Sequence, residues 1–326
     1  MVAERERAAA VEAVRLASAL CRGAQGRLLA GETLTKGDDS PVTVADFAAQ
    51  AVVSTVLTRS LGDIEMVGEE TAADLVDGVD GDRSALLDAV VELARRQLGT
   101  STTVADVLAS IAVGASDGSS NRFWTLDPID GTKGFLRGDQ YAIALALVEH
   151  GEVVLGVLGC PNLPNHDGSS GATFVAVDGR CEMVTDAGSA PARVAAPATI
   201  AEARLCESVE SGHTNQDHSA QVAELLGIQA DPYRIDSQCK YGAVARGDAS
   251  IYLRLPTRAG YVEKIWDHAA GKFVVEQAGG RVTDVTGAPL DFSHGRGLVA
   301  NRGVIATDGR FHDEVVAAVT QVLSPT

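Results

Sequence analysis

The chain is short of positive charge, aromatic rings and long apolar runs, and each shortage removes a class of protein. Lys and Arg number 27 against 44 Asp and Glu, a formal net charge of −17. Duplex-tracking proteins need a basic surface, so no nucleic-acid partner is expected. Any phosphate bound here must be met by metal ions and locally placed cations, although the simplest reading of the acidity is solubility. No hydrophobic run approaches the length that spans a bilayer. Residues 1–10 are charged and Ala-rich, without the apolar core of a secretory signal, so no membrane partner is expected. The five cysteines (Cys21, Cys160, Cys181, Cys206, Cys239) are odd in number and scattered, with neither zinc-ligand spacing nor a disulfide framework. The default is a reducing cytoplasm. Cys21 and Arg27 have the separation of a cysteine-dependent phosphatase loop. Cys21, however, continues an apolar helical stripe with Val14, Leu16, Ala17 and Leu20, not the strand-to-helix loop that lowers a thiol pKa. With aromatics at 4% and hydrophobic residues at 45% of 326, the core must be built from Ala, Val, Leu and Gly.

The pattern along the chain predicts a helix over the first thirty residues, ending near Gly31, and a second opening at 40–46. In the latter, Phe47, Ala51, Val52, Val56 and Leu57 recur at helical period. Residues 64–68 read as a strand, 71–84 as an exposed acidic loop and 86–98 as a helix. Residues 123–126 form a strand running into a turn. Apolar runs at 141–149 and 153–158 flank His150-Gly151-Glu152, and those at 173–177 and 181–185 flank Asp178-Gly179; both are hairpin signals in a meander. The stretch 186–199, rich in Ala, Pro and Ser, is expected to contain a domain crossover. Beyond it, helices at 216–226, 239–245, 268–278 and 311–323 alternate with strands at 233–236, 250–253, 281–283 and 298–300, which suggests a smaller α/β layer.

The most informative run is Asp127-Pro128-Ile129-Asp130-Gly131-Thr132. Pro128 fixes φ and lacks an N–H, so no ordinary ladder or helix continues through it. Asp127 and Asp130 can then address one spot, with the Ile129 carbonyl between them. Such oxygen ligands suit Mg²⁺, which takes one or two carboxylates and completes its shell with water and substrate phosphate. Gly131 admits a phosphate close to the backbone, and Thr132 could orient a water. The plainer alternative is an Asp-rich turn. Three further acidic positions stand out: Asp46 after Ser40-Pro41-Val42-Thr43, Glu69 in Gly68-Glu69-Glu70, and Asp267 in Trp266-Asp267-His268. Alone, Asp46 and Asp267 read as helix N-terminal residues, and Glu69 as a solvated loop charge.

Their order resembles the inositol monophosphatase superfamily of lithium-sensitive, magnesium-dependent phosphatases, over nearly the whole chain. The matching blocks are Ser40-Pro41-Val42-Thr43-Val44-Ala45-Asp46, Gly68-Glu69-Glu70, residues 124–135 from Trp124 to Phe135, and Trp266-Asp267-His268-Ala269-Ala270-Gly271. Within it the chain looks most like the 3′(2′),5′-bisphosphate nucleotidases. Lys133-Gly134-Phe135 follows the Thr, Glu210-Ser211-Gly212-His213 resembles their nucleotide-side loop, and Ser237-Gln238-Cys239-Lys240-Tyr241 with Tyr252-Leu253-Arg254-Leu255-Pro256 resembles their substrate-domain block.

The resemblance implies an α+β fold, a layered α-β-α-β-α sandwich. Residues 1–190 would form a larger sub-domain with the antiparallel sheet and most ligands, and 191–326 a smaller one, with the pocket in the cleft between them. It implies Glu69, Asp127, the Ile129 carbonyl, Asp130 and Asp267 as ligands for two or three Mg²⁺ ions, and Asp46 with Thr132 as the pair that activates water. Converging carboxylates repel one another, and cations relieve that repulsion. The Gly131 and Thr132 amides at a helix start suit a phosphate. Lys240 and Arg254, with Ser237, are implied to bind the substrate's other phosphate. His213 could contact the nucleotide or merely cap a loop, and Arg254 could be a surface strand charge.

The implied reaction is hydrolysis of adenosine 3′,5′-bisphosphate to AMP and phosphate by in-line attack of water, without a covalent phosphoenzyme. Action on 3′-phosphoadenosine 5′-phosphosulfate, weaker action on inositol 1,4-bisphosphate, inhibition by Li⁺ and a place in sulfur metabolism also follow from the resemblance. The partner is thus a small bisphosphate nucleotide; the oligomeric state stays open, a monomer being compatible. The rival readings are an inositol mono- or polyphosphate phosphatase on the same scaffold and a non-catalytic nucleotide sensor.

Overall fold

A computed structural model describes residues 2–30, 41–76, 83–209, 216–256, 258 and 260–324. Helix α1 (Glu4–Leu29) carries Ala10, Ala13, Val14, Ala17, Leu20, Cys21 and Ala24 on one buried stripe, the i, i+3, i+4 spacing of an amphipathic helix. Its start is held by Glu6, whose carboxylate accepts from the Ala3 N–H at 2.9 Å. Then follow α2 (Pro41–Leu61), β1 (Met66–Gly68), α3 (Ala72–Val76), α4 (Arg83–Leu98), α5 (Val104–Ala112), β2 (Arg122–Asp130) and α6 (Thr132–Arg137). A meander continues through β3 (Ala142–Glu149), β4 (Glu152–Pro164), β5 (Ser170–Val177), β6 (Arg180–Thr185) and β7 (Gly188–Pro191). The second half supplies β8 (Leu205–Glu207), α7 (Gln216–Leu226), β9 (Tyr233–Arg234), α8 (Cys239–Ala245), β10 (Ile251–Arg254), α9 (Ala269–Gln277), β11 (Arg281–Thr283), β12 (Val304–Thr307) and α10 (His312–Leu323).

Two sheets result. The first runs β1 to β7 in sequence order, antiparallel except for the β1–β2 pair. The second has the order β11-β12-β10-β8-β9 and is mixed. Side chains alternate along a strand, and on β3 both faces are buried. Ile143, Leu145 and Leu147 join a core with α1 and α2, while Ala142, Ala144, Ala146 and Val148 join one with α8 and α9. That second core also takes in Tyr252, Val282, Val304 and Ala306 of the second sheet. A third core joins Leu205, Ile251, Leu253 and Ile305 to Val222 of α7 and Val315 and Val319 of α10. The layers are therefore helix, sheet, helix, sheet, helix, as the sequence led us to expect.

Both hairpins form as read, because His150-Gly151 and Asp178-Gly179 each take positive φ at both central residues, the geometry that matches strand twist. Four readings need correction. The acidic stretch 71–84 is not all loop, since Ala72–Val76 is helical. Helix α5 was unread, although Thr103 caps it by accepting from the Asp106 N–H at 3.2 Å. The stretch 186–199 also holds an unexpected strand, β7, paired to β6 ahead of the change of sheet. Residues 298–300 are not a strand; the strand lies later, at β12, where Val304 to Thr307 fill the sheet between β10 and β11. Ser40 and the loop Glu210–His213 lie outside the described residues.

Candidate active site

The site grows from the one irregularity in β2. Asp127 pairs with Ala144 and Asp130 with Ala142, so three steps on β2 oppose two on β3. This is a bulge, the setting in which Pro is tolerated inside a sheet. Residues three apart on a regular strand face opposite ways; the extra residue brings Asp127 and Asp130 to one side. Glu69 reaches the same spot because its N–H donates to the Leu126 carbonyl at 3.1 Å, continuing the β1–β2 pairing. The next residue is clamped by Gln50 of α2, which donates from Nε2 to the Glu70 carbonyl (2.6 Å) and accepts from the Glu70 N–H (3.1 Å). Asp46 lies one helical turn before Gln50, on the same face of α2.

Gly131 (φ +94°) ends the bulge and starts α6. Across from it, Gln238 knits the two halves together. Its N–H donates to Asp130 Oδ2, its side-chain amide donates to the Trp266 carbonyl (2.9 Å), and its Oε1 accepts from the Gly271 N–H (3.1 Å). Asp267 thereby sits in a 3₁₀ turn opposite Asp130, just before α9.

These elements enclose a cavity of about 420 Å³. Its wall includes Glu69, Asp127, Ile129, Asp130 and Asp267, and also Gly131, Thr132, Ser237, Lys240 and Arg254. Asp46 is buried outside the wall, beside Glu70 and Glu69, and His213 lies outside the described residues. Arg137, Ser208, Asp236, Gln238 and Tyr252, to which sequence reasoning assigns no role, also line the cavity. Gln238 and Tyr252 stand inside quoted blocks. Arg137 and Asp236 form an ion pair 99 residues apart, which no local signal announces.

The cavity brings together two kinds of charge. Burial pushes the acidic carboxyl groups up. Asp127 and Asp46 lie well above the usual range and Glu70 at about 7, with neighbouring acids adding to the rise. Glu69 is raised against a hydrogen bond with Asp127, Asp130 against the charge of Lys240, and Asp267 to about 6 against nearby His268. Asp127 Oδ1 is buried without a hydrogen-bond partner. An all-oxygen donor set, mutual repulsion and an orphaned carboxylate oxygen are what a hard divalent cation would satisfy. Glu263, Asp267 and His268 also bring ligand atoms within 4.8 Å of one another. There, however, Glu263 already accepts from Arg254 Nε (3.0 Å) and contacts His268 Nε2 (3.2 Å), which hold it at about 2 against its burial.

The cations stand beside these acids. Lys240 Nζ is buried, donates to Ser208 Oγ at 3.1 Å and lies 5.3 Å from the Tyr252 ring centre. Burial lowers its pKa, and the charge of Asp130 opposes that. Arg254 is braced by Glu263 and comes within 3.8 Å of Asp267. It is a cavity side chain, not a surface strand charge. Ser237 holds φ +64° and accepts from the Cys239 N–H at 3.1 Å, leaving its hydroxyl proton for another acceptor.

The sequence model of the inositol monophosphatase family matches residues 3–324. The chain belongs to the inositol monophosphatase family. Among its relatives, the 3′(2′),5′-bisphosphate nucleotidase of Oryza sativa is 45% identical, over 98% of this chain and 94% of that protein. Those of Emericella nidulans and Arabidopsis thaliana are 41% and 45% identical, over 98% and 86% of this chain and 99% and 85% of theirs. Among solved structures, Mycobacterium tuberculosis SuhB superposes with a TM-score of 0.62 at 19% identity, over 97% of this chain and 96% of that one. CysQ from Bacteroides thetaiotaomicron, a bacterial member of the inositol monophosphatase family, does so at 0.61 and 19%, over 92% and 96%. These family structures bear out the layered sandwich. No helix among the described residues is long and apolar enough to cross a membrane.

Proposed function

We propose that the chain is a Mg²⁺-dependent 3′(2′),5′-bisphosphate nucleotidase that hydrolyses adenosine 3′,5′-bisphosphate to AMP and phosphate. The observation that carries this reading is one cavity lined both by a cation-seeking cluster of carboxylates and by Lys240 and Arg254. A bisphosphate needs both. The names of relatives at 41–45% identity supply the nucleotide.

In this reading Glu69, Asp127, the Ile129 carbonyl, Asp130 and Asp267 hold two or three Mg²⁺ ions. When bound, such ions polarise phosphoryl oxygens, lower the pKa of water and stabilise a leaving oxygen. The chain's own residues do the rest. The Gly131 and Thr132 amides orient the 3′-phosphate for in-line attack. Thr132 Oγ1 takes the proton of the attacking water as it hands its own to the Asp46 carboxylate, so the pair works as a relay. Lys240, Arg254 and the Ser237 hydroxyl grip the 5′-phosphate; Arg gives a fork and Lys a point charge. His213 is assigned to the nucleotide side. Residues 1–190 and 191–326 act as two sub-domains, a division supported by the sheet change between Pro191 and Leu205. We place the enzyme in the cytoplasm, sensitive to Li⁺, clearing a by-product of sulfate activation.

Phosphate release from adenosine 3′,5′-bisphosphate, 3′-phosphoadenosine 5′-phosphosulfate and inositol phosphates, with and without Mg²⁺, tests this. The adenosine nucleotides should turn over fastest, and only with the metal. A clear preference for inositol phosphates would overturn the substrate assignment.

A further inference from the structure

Arg296 does not line the cavity, yet it joins the two pieces of chain that carry the outer carboxylates. It lies on the loop between β11 and β12. The loop's backbone is zipped to the segment that leads into Asp267: the Ile265 N–H donates to the Arg296 carbonyl (3.3 Å), the Leu298 N–H donates to the Glu263 carbonyl (2.9 Å), and Lys264 and Gly297 form a bridge. Arg296 therefore moves with the Asp267 side.

Its guanidinium reaches the other side. Nη2 donates to the Gly68 carbonyl at 2.7 Å, directly before Glu69. Nη1 donates to the Ser116 carbonyl at 3.0 Å and approaches the Gly114 carbonyl at 3.5 Å, on the strip that pairs with the free edge of β1. The same planar group stacks over Trp266, 4.8 Å from the ring centre, directly before Asp267. One side chain thus touches the residue preceding Glu69 and the residue preceding Asp267. The reach is short because two glycines let the loops meet: a Cβ on Gly295 would stand 2.8 Å from the Asp117 carbonyl oxygen, and one on Gly118 would stand 3.1 Å from Gly295 Cα.

We propose that Arg296 is a positioning residue that sets the separation of Glu69 and Asp267, and through it the divalent-cation affinity of the cavity. This rests on the cation site proposed above. Only a planar fork of donors can serve several carbonyls and an aromatic face at once; a Lys at 296 keeps the charge and loses the span.

The test is calorimetric titration of Mg²⁺ into chelator-stripped parent, Arg296→Lys, Arg296→Ala and Asp127→Asn proteins, each checked for folding by circular dichroism and thermal melting. Arg296→Lys should bind Mg²⁺ about tenfold more weakly, the scale of losing an outer-shell partner. Its metal-free melting midpoint should stay within about 2 °C of the parent, and KM for nucleotide at saturating Mg²⁺ should be unchanged. Parent-like Mg²⁺ affinity in folded Arg296→Lys and Arg296→Ala would overturn the role, as would an affinity loss that only follows a loss of folding. If Asp127→Asn itself bound Mg²⁺ like the parent, the cation site would fall, and this role with it.

Discussion

Gly131 and Ser237 approach so closely that a Cβ built on Gly131 would stand 2.7 Å from the Ser237 Cβ. Both residues hold positive φ, +94° and +64°. The bulge that aims Asp127 and Asp130 thus ends against the turn that leads into α8, the helix that carries Lys240. That contact admits no side chain at 131.

Gly131→Ala should therefore lose on two counts. The left-handed backbone costs an L-residue on the order of 1–2 kcal/mol, and the methyl group must displace Ser237. We expect a melting midpoint lower by several degrees and a kcat/KM reduced at least about tenfold, because Thr132 shifts with its neighbour. Differential scanning calorimetry and a phosphate-release assay measure the two effects. Parent-like values in both would show the approach to be unimportant.

Lys240→Gln separates the two phosphates of the substrate. A charged hydrogen bond is worth about 1.5–3 kcal/mol, so KM for adenosine 3′,5′-bisphosphate should rise about ten- to a hundredfold. Adenosine 3′-monophosphate, lacking the second phosphate, should be affected far less. Equal losses on both substrates would place Lys240 at the reacting phosphate instead.

Glu263 braces Arg254 and meets His268, whose Nδ1 pairs with Tyr241 Oη at 2.8 Å. Glu263→Gln keeps the shape and removes the charge. KM for the bisphosphate should rise several-fold, because Arg254 loses the charged partner that orients it while keeping its own charge for the phosphate, and kcat should hold. Steady-state kinetics decide: a fall in kcat with unchanged KM would contradict the bracing role.

His312 reports on stability rather than catalysis. Thr283 donates to the Asp284 carbonyl (2.9 Å), so it accepts from His312 Nε2–H (2.8 Å), and Thr307 Oγ1 donates to Nδ1 (2.9 Å). Protonating Nδ1 would set two donors against each other. Burial first and then the nearby Arg281 charge lower the pKa to about 4, with Asp313 opposing. The folded state thus binds fewer protons than the unfolded chain. Stability from this group is complete above about pH 6.5 and is lost as the pH falls toward 4, by on the order of 2 kcal/mol at pH 4.5. Urea titrations at pH 7 and 4.5, on the parent and His312→Gln, should show a smaller acid loss in the variant.

What the sequence revealed follows from where the constraints are local. The Asp127–Thr132 run was legible because Pro128 and Gly131 each force one backbone choice, and the hairpins because His150-Gly151 and Asp178-Gly179 sit at turns needing positive φ. Helix α5 could have been read from Thr103 and Asp106, which cap it within one turn. The misplaced strand at 298–300 came from reading apolar character alone, although Leu298 is buried and Val299 exposed in a turn. Arg137 with Asp236, and Arg296 with Gly68, were beyond local reading. Each pair is made by layers of the sandwich that meet only in three dimensions.

The central claim is that Glu69, Asp127, Asp130 and Asp267 form one divalent-cation site facing Lys240 and Arg254. Anomalous diffraction from crystals soaked in Mn²⁺ tests it most directly. Peaks should appear among those four carboxylates, with the Ile129 carbonyl in range, and none should appear in crystals of Asp127→Asn. An empty cavity in the parent, or a sole peak between Glu263 and His268, would contradict it.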